Sequence, residues 1–262
     1  MIFYFSGTGN TRWAAETVAH SLDERLFFIP EELKGDCHYT LEADERLGFF
    51  FPTHGWQPPH IVREFIGRLR LNNAEGHYCY ALTTCGDSIG KTMEILNNDL
   101  LKNSLPKAKS LFCLIMPESY VCLPFMYTDT PEREKEKTSQ AEQQLSTFTQ
   151  TIRERREGEE HIVKGVLPWV MSYIVGGYFN KKMVTDKKFT INANLCIHCG
   201  KCAKVCPTGD LRLRDNLPAW QGDGSCTCCL ACYHHCPRHA INYGPITRKR
   251  GQYYFGHQKK TE

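Results

Sequence analysis

The sequence predicts an α/β fold: a doubly wound parallel sheet of five strands in residues 1–157, then a small α+β domain beginning near residue 188. Three observations carry this. Apolar runs alternate with helix-length stretches as far as Glu157, and nine of the 14 cysteines fall between Cys196 and Cys236. Charge divides as well: residues 1–157 hold 17 Lys+Arg and 22 Asp+Glu (net −5), whereas residues 158–262 hold 15 and 7 (net +8), which reproduces the +3 of the chain. A length of 262 residues suits two domains, and 41% hydrophobic with 23% charged residues excludes wholesale disorder.

Strands are expected at Ile2–Ser6, Arg25–Pro30, Leu47–Thr53, His77–Thr84 and Ser110–Met116. Helices are expected at Asn10–Leu22, Pro59–Leu71, Asp87–Asn103 and Pro131–Glu157. Leu47-Gly48-Phe49-Phe50-Phe51 is apolar on both faces, as a strand covered on both sides must be. The last helix pairs opposite charges at i, i+3 and i, i+4 and reads as a solvated face with one packed stripe. Strands alternating with helices of this length give a sandwich whose ligand sits at the carboxyl ends of the strands.

At that edge, strand 1 ends in Ser6-Gly7-Thr8-Gly9-Asn10-Thr11 and runs straight into a helix. It lacks the Lys of a P-loop and the spacing of a dinucleotide fingerprint. It does offer hydroxyls, an amide and two glycines at a helix N-terminus, a nest for a phosphate dianion held without a salt bridge. Strand 3 leads into Pro52-Thr53-His54-Gly55-Trp56-Gln57-Pro58-Pro59, where Trp56 is either a face for a planar ring or a hydrophobic plug. Strand 4 leads into Thr84-Cys85-Gly86-Asp87, with Cys85 read as a tolerated small residue rather than a reactive thiol.

The cysteines carry the sharpest signal. Cys196, Cys199, Cys202 and Cys206-Pro207 match C-x2-C-x2-C-x3-C-P, and so do Cys226, Cys229, Cys232 and Cys236-Pro237, every position offset by 30. Three closely spaced thiolates wrap three corners of a [4Fe–4S] cube while the fourth, before Pro, reaches across to the other cube. One cluster is therefore assigned to Cys196, Cys199, Cys202 and Cys236, the other to Cys226, Cys229, Cys232 and Cys206. Zinc ribbons need neither the third cysteine nor the C-P ending. Cys228 is left over and reads as a small buried thiol beside a cluster, and the nearby histidines as neighbours rather than ligands.

Residues 158–187 form an apolar interdomain linker. Its charge-free stretch Gly165–Asn180 is 16 residues long, short of the roughly 18 of a membrane span. Burial between the domains is the expectation, although Lys164, Lys181 and Lys182 would also suit a membrane surface. Residues 188–245 form the cluster domain and 246–262 a basic, aromatic tail, expected to pack on the acidic first domain or dock an acidic partner rather than bind nucleic acid. No signal peptide or membrane span is visible, so a cytoplasmic protein is expected.

On these motifs residues 1 to about 157 resemble a flavodoxin, residues 188 to 245 a bacterial two-cluster ferredoxin, and the whole chain the fused flavodoxin–ferredoxin proteins of anaerobes. The resemblance implies a flavodoxin-like sheet and FMN, with Ser6, Thr8, Gly9, Asn10 and Thr11 on its phosphate. Pro52, Thr53, His54, Gly55, Trp56, Thr84, Cys85, Gly86 and Asp87 would flank its ring. The acidic, Tyr-bearing ring loop of a flavodoxin is absent. The loop Met116–Thr130 either covers the flavin edge or caps the sheet. The expected function is electron relay between two [4Fe–4S] clusters and FMN, with a redox partner protein. The alternative is a flavin-dependent reductase of a small acceptor, in which His54, Cys85 or Tyr120 touches substrate. Cofactors would take the charge of the loaded protein to about −3.

Overall fold

A computed structural model describes residues 1–257. The first half is a parallel sheet of β1 (Ile2–Tyr4), β2 (Leu26–Phe28), β3 (Leu47–Pro52), β4 (Cys79–Cys85), β5 (Ser110–Ile115) and β6 (Glu160–His161). Around it lie α1 (Asn10–Leu22), α2 (His60–Arg68), α3 (Thr92–Lys102) and α4 (Pro131–Arg153). The strand order is β2-β1-β3-β4-β5-β6, the flavodoxin-like order with one strand added at the edge.

The side-chain period of two explains the sandwich. Phe3, Phe5, Phe49, Phe51, Cys79, Ala81, Leu111 and Cys113 share one buried face, packed with Ile61, Val62, Phe65 and Ile66 of α2 and Met93, Leu96 and Leu100 of α3. Ile2, Tyr4, Phe50, Tyr80, Leu82, Phe112 and Leu114 share the other, packed with Ala14, Ala15 and Val18 of α1 and Ala141, Leu145 and Phe148 of α4. Register agrees: Phe3 pairs with Phe49, Phe49 with Ala81, and Ala81 with Leu111.

Three expectations are corrected. The sheet has six strands rather than five, because two polar residues beyond α4, Glu160 and His161, pair with Leu111 and Phe112. The helix expected over Pro59–Leu71 stops at Arg68; Leu69 is extended, and Arg70–Asn72 pairs in parallel with His38–Thr40. The helix expected from Asp87 starts only at Thr92. In addition, the apolar stretch after Gly165 is not sealed between domains. It winds into wide turns over Val170–Val175 and Phe179–Met183, and most of its large side chains face outward.

The second half is built twice. β7 (Phe189–Ile191) pairs antiparallel with β10 (Ile241–Tyr243), and β8 (Leu211–Arg214) with β9 (Leu217–Trp220). The one-turn helices α5 (Lys201–Lys204) and α6 (Ala231–His234) are again 30 residues apart. Left-handed backbone repeats at the same offset: His198 (φ 58°) with Cys228 (φ 50°), Gly200 (68°) with Leu230 (61°), and Gly209 (68°) with His239 (52°). Cys228 thus stands where the first copy has His198. This core also takes in Val121 and Cys122, from the loop after β5 of the first half.

Candidate functional site

An open cleft lies at the carboxyl edge of the sheet, beside β1 and β3, where the strand order reverses. It encloses about 1040 Å³ including its mouth and is lined by Ser6, Thr8, Asn10, Thr11, Pro52, Thr53, His54, Gly55, Trp56, Thr84, Cys85, Gly86 and Asp87. Only Gly9 of the expected cleft residues is not among its walls; it sits behind them at the start of α1 with φ 100°, a conformation suited to glycine.

The loop before α1 is held from several sides. Gly9 N donates to Ser6 Oγ at 3.2 Å, Asn10 Nδ2 to Pro117 O at 3.3 Å, and the Thr11 and Thr84 hydroxyls meet at 2.7 Å. No side chain caps α1, so its first-turn amides keep their need for an acceptor. Among the described residues no Lys or Arg lines the cleft. An anion here would be met by N–H and O–H groups at the positive end of a 13-residue helix, which fits a phosphate monoester.

His54, Gly55, Trp56 and Gln57 close a tight turn, with His54 and Gln57 exchanging backbone bonds at 2.9 and 3.2 Å. Gly55 and Trp56 both have φ 55°, the left-handed pair of a type I′ turn. This presents the indole at the cleft, where its Nε1 donates to Ser88 Oγ at 3.2 Å. Burial, with the His60 charge adding to it, lowers the His54 imidazole to about 4. Cys85 is hydrogen-bonded to Cys113, and that bond together with burial raises its thiol well above the usual range, so it is not a reactive thiolate.

Four features add to the sequence reading. Glu118, Ser119, Tyr120, Leu123 and Met126 bring the loop after β5 into the cleft wall, so this loop covers the site rather than only capping the sheet. The Glu118 carboxylate accepts from the Ser119 and Tyr120 amides at 3.1 and 2.8 Å. It lies against Gly86, where a side chain would collide with it, and burial raises its pKa. Phe179 arrives from the apolar stretch, and a methyl group on Gly55 would lie 2.5 Å from its ring. Cys228 and Cys229 close the wall from the second half. The sequence offers the loop after β5 as either a cover or a cap and Cys228 as a buried thiol beside a cluster; Phe179 carries no signal.

Among the cysteines, Cys196, Cys199, Cys202 and Cys236 line one cavity together, with Pro237. Cys229, Cys206 and Cys226 raise the Cys232 thiol through their charge, after burial, which is the larger cause. The second set is therefore gathered as well. Burial pushes Cys202 and Cys229 up to about 11; buried thiols of this kind ionise when a metal supplies the positive charge. Among the described residues no three His, Cys, Asp or Glu are gathered tightly enough for a single metal ion. Four thiols in each set are the donor type that an iron–sulfur cluster takes.

The two sites share a wall. A methyl group on Gly7 would lie 2.6 Å from Cys229 Cβ and 3.2 Å from its Sγ. The His234 ring bridges the halves: its Nε2 meets Ser119 O at 2.6 Å and its Nδ1 accepts from Tyr253 N at 3.1 Å. Because Nδ1 accepts, the proton resides on Nε2. Residues 250–256 then strap across the first domain. Tyr253 OH reaches Asn10 Oδ1 at 2.7 Å, Phe255 N donates to Thr8 O at 2.8 Å, and the Phe255 ring stacks on Trp13 with centroids 5.0 Å apart.

Residues 188–249 match the family described as the 4Fe-4S dicluster domain. Over 67 residues the chain is 34% identical to the iron–sulfur subunit of arsenate respiratory reductase from Shewanella sp. (strain ANA-3), covering 25% of this chain and 29% of that one. Rubredoxin:oxygen oxidoreductase from Desulfovibrio gigas aligns with 58% of this chain and 36% of its own at 16% identity and a TM-score of 0.27. The Flv1 flavodiiron core from Synechocystis sp. PCC6803 aligns with 56% and 36% at 17% identity and a TM-score of 0.30. The chain thus spans about a third or less of these relatives, and the fold rests on its own strand order. That order in the first half, and the matched cysteine repeat in the second, make this chain a fusion of a flavodoxin-like α/β domain with a 4Fe–4S dicluster domain.

Proposed function

We propose that the chain relays single electrons between two [4Fe–4S] clusters and an FMN held in the cleft. The observation that carries the reading is the shared wall: Cys229, a cysteine of the second cluster set, rests on Gly7 of the phosphate loop. Electron transfer falls steeply with distance, so a cluster ligand lining the flavin cleft is the arrangement a relay needs. The clusters supply one-electron steps and the flavin one- or two-electron storage. The chain's own part is to bind and orient. Ser6, Thr8, Asn10, Thr11 and the α1 amides would take the phosphate. Trp56 and the loops at Thr84–Asp87 and Met116–Tyr120 would flank the ring, while Leu123, Met126 and Phe179 exclude water. Cys196, Cys199, Cys202 and Cys236 would hold one cluster; Cys226, Cys229, Cys232 and Cys206 would hold the one nearer the cleft.

Anaerobic protein should contain about eight iron atoms and one FMN per chain. A low-potential one-electron donor in a stopped-flow mixer should reduce the clusters first and the flavin next. Missing either cofactor, or a flavin that stays oxidised beside reduced clusters, defeats the relay.

A second reading, a flavin-dependent reductase, is favoured by Glu118. A carboxyl at the cleft wall whose pKa is raised by burial is the type of group that passes a proton to a small acceptor. Steady-state turnover of a small acceptor by reduced protein, lost in Glu118→Gln, would select it over the relay.

A further inference from the structure

The stretch from Val163 to Lys188 is built inside out. A surface helix normally buries its apolar stripe and shows water a polar one. Here the inward face, Phe179 apart, is small and polar. The Ser172 hydroxyl accepts from Lys91 N at 2.7 Å, its carbonyl accepts from Gln57 Nε2 at 2.7 Å, and Gly176 lies directly on the Gly55 carbonyl. Asn180 Nδ2 ties the next turn to His54 O at 3.2 Å. The outward face carries Val166, Leu167, Trp169, Ile174, Val175 and Tyr178, exposed by 84, 64, 56, 57, 41 and 65%. The first domain therefore anchors this segment firmly while its large apolar side chains face away, and contiguous apolar surface of this kind marks a contact.

Charge selects the occupant. Lys164, Lys181, Lys182, Lys187 and Lys188 flank the face, all exposed, and the one acidic residue in the stretch, Asp186, is buried. Two copies meeting face to face about a twofold axis would set these lysines against each other. An anionic surface would pair with them. Trp169, Tyr173 and Tyr178 are the ring types that settle at the boundary between headgroups and acyl chains. No helix among the described residues is long and apolar enough to cross a membrane, so the segment would lie on a bilayer rather than through it.

We propose that this face seats the protein on an anionic lipid bilayer. The apolar side chains enter the acyl boundary, the lysines meet headgroup phosphates, and the Phe179 side of the cleft is held close to the surface. Seating does not depend on which cofactors are bound.

Intact, cofactor-loaded protein is floated with phosphatidylcholine vesicles or with vesicles of equal parts phosphatidylcholine and phosphatidylglycerol. Binding is expected only with phosphatidylglycerol, and brominated lipid should quench tryptophan emission in the native chain but not in Trp169→Phe. Leu167→Ser/Ile174→Ser and Lys181→Glu/Lys182→Glu should each weaken partitioning roughly tenfold or more, with iron content and circular dichroism unchanged. No flotation with either vesicle, or flotation that both double variants retain, overturns the proposal. So does a dimer in vesicle-free buffer that the same apolar substitutions dissociate, which would assign the face to a second copy.

Discussion

Gly7 and His54 show how much one residue can decide at this cleft. Gly7 has no room for a side chain because the second half of the molecule presses Cys229 onto it, so this glycine is what lets Cys229 approach the cleft. His54 is held neutral by burial, with its pKa lowered to about 4. In an unfolded chain a histidine takes up its proton near 6.5. Between those values the unfolded state binds more protons, so this contribution is complete above about 6.5 and is lost as pH falls toward 4, by at most about 2 kcal/mol at pH 5. Urea midpoints at pH 7 and pH 5 should differ more for the native protein than for His54→Gln; an acid slope that the substitution leaves untouched would refute the assignment.

At the scale of elements, the strap over residues 250–256 makes the tail a brace behind the loop that lines the cleft. It is fixed at one end on the cluster domain, where Gln252 Nε2 donates to Tyr233 O at 2.6 Å and Cys236 O at 2.9 Å. At the other end it reaches Thr8 and Asn10 of the phosphate loop. Ending the chain after Arg250 should leave iron content intact and weaken FMN retention roughly tenfold or more, the two hydrogen bonds to Thr8 and Asn10 and the ring stack on Trp13 being lost; ultrafiltration of flavin from both proteins measures this. The strands and the phosphate loop were legible because burial on both faces and a glycine-rich turn before a helix leave strong local patterns. Glu160–His161 was not, since two exposed polar residues have no period, and they form a strand only because β5 offers them an edge. Phe179 and Glu118 were not legible either; the tail was expected to pack on the first domain or dock a partner, but its path was not legible. Their roles come from contacts across more than a hundred residues or from loops whose path the sheet and the second domain decide.

Across the whole molecule, the 30-residue repeat is a property of the backbone as well as of the cysteines. Left-handed residues recur at 198 and 228, 200 and 230, and 209 and 239, which is why the non-ligand cysteine was legible: Cys228 fills the place of His198 in a loop already furnished with ligands. The cross-over assignment makes a prediction that sequence proximity does not. Cys236→Ser should impair the cluster of Cys196, Cys199 and Cys202, remote in sequence, and spare the one held by its neighbours Cys226, Cys229 and Cys232; Cys228→Ala should keep all of about eight iron atoms. EPR of the reduced variants, with iron counts, separates these outcomes; loss of the neighbouring cluster in Cys236→Ser would reverse the assignment.

The bond from Tyr253 to Asn10 spans 243 residues of chain. On the ribosome, at about 5–20 residues per second, the phosphate loop would wait roughly 10–50 seconds for the residues that close over it. Everything needed to build both iron sites is translated in that interval. On the proposed relay, a flavin that arrives early would meet a loop not yet braced by the strap. The loop translated early is thus the one braced last.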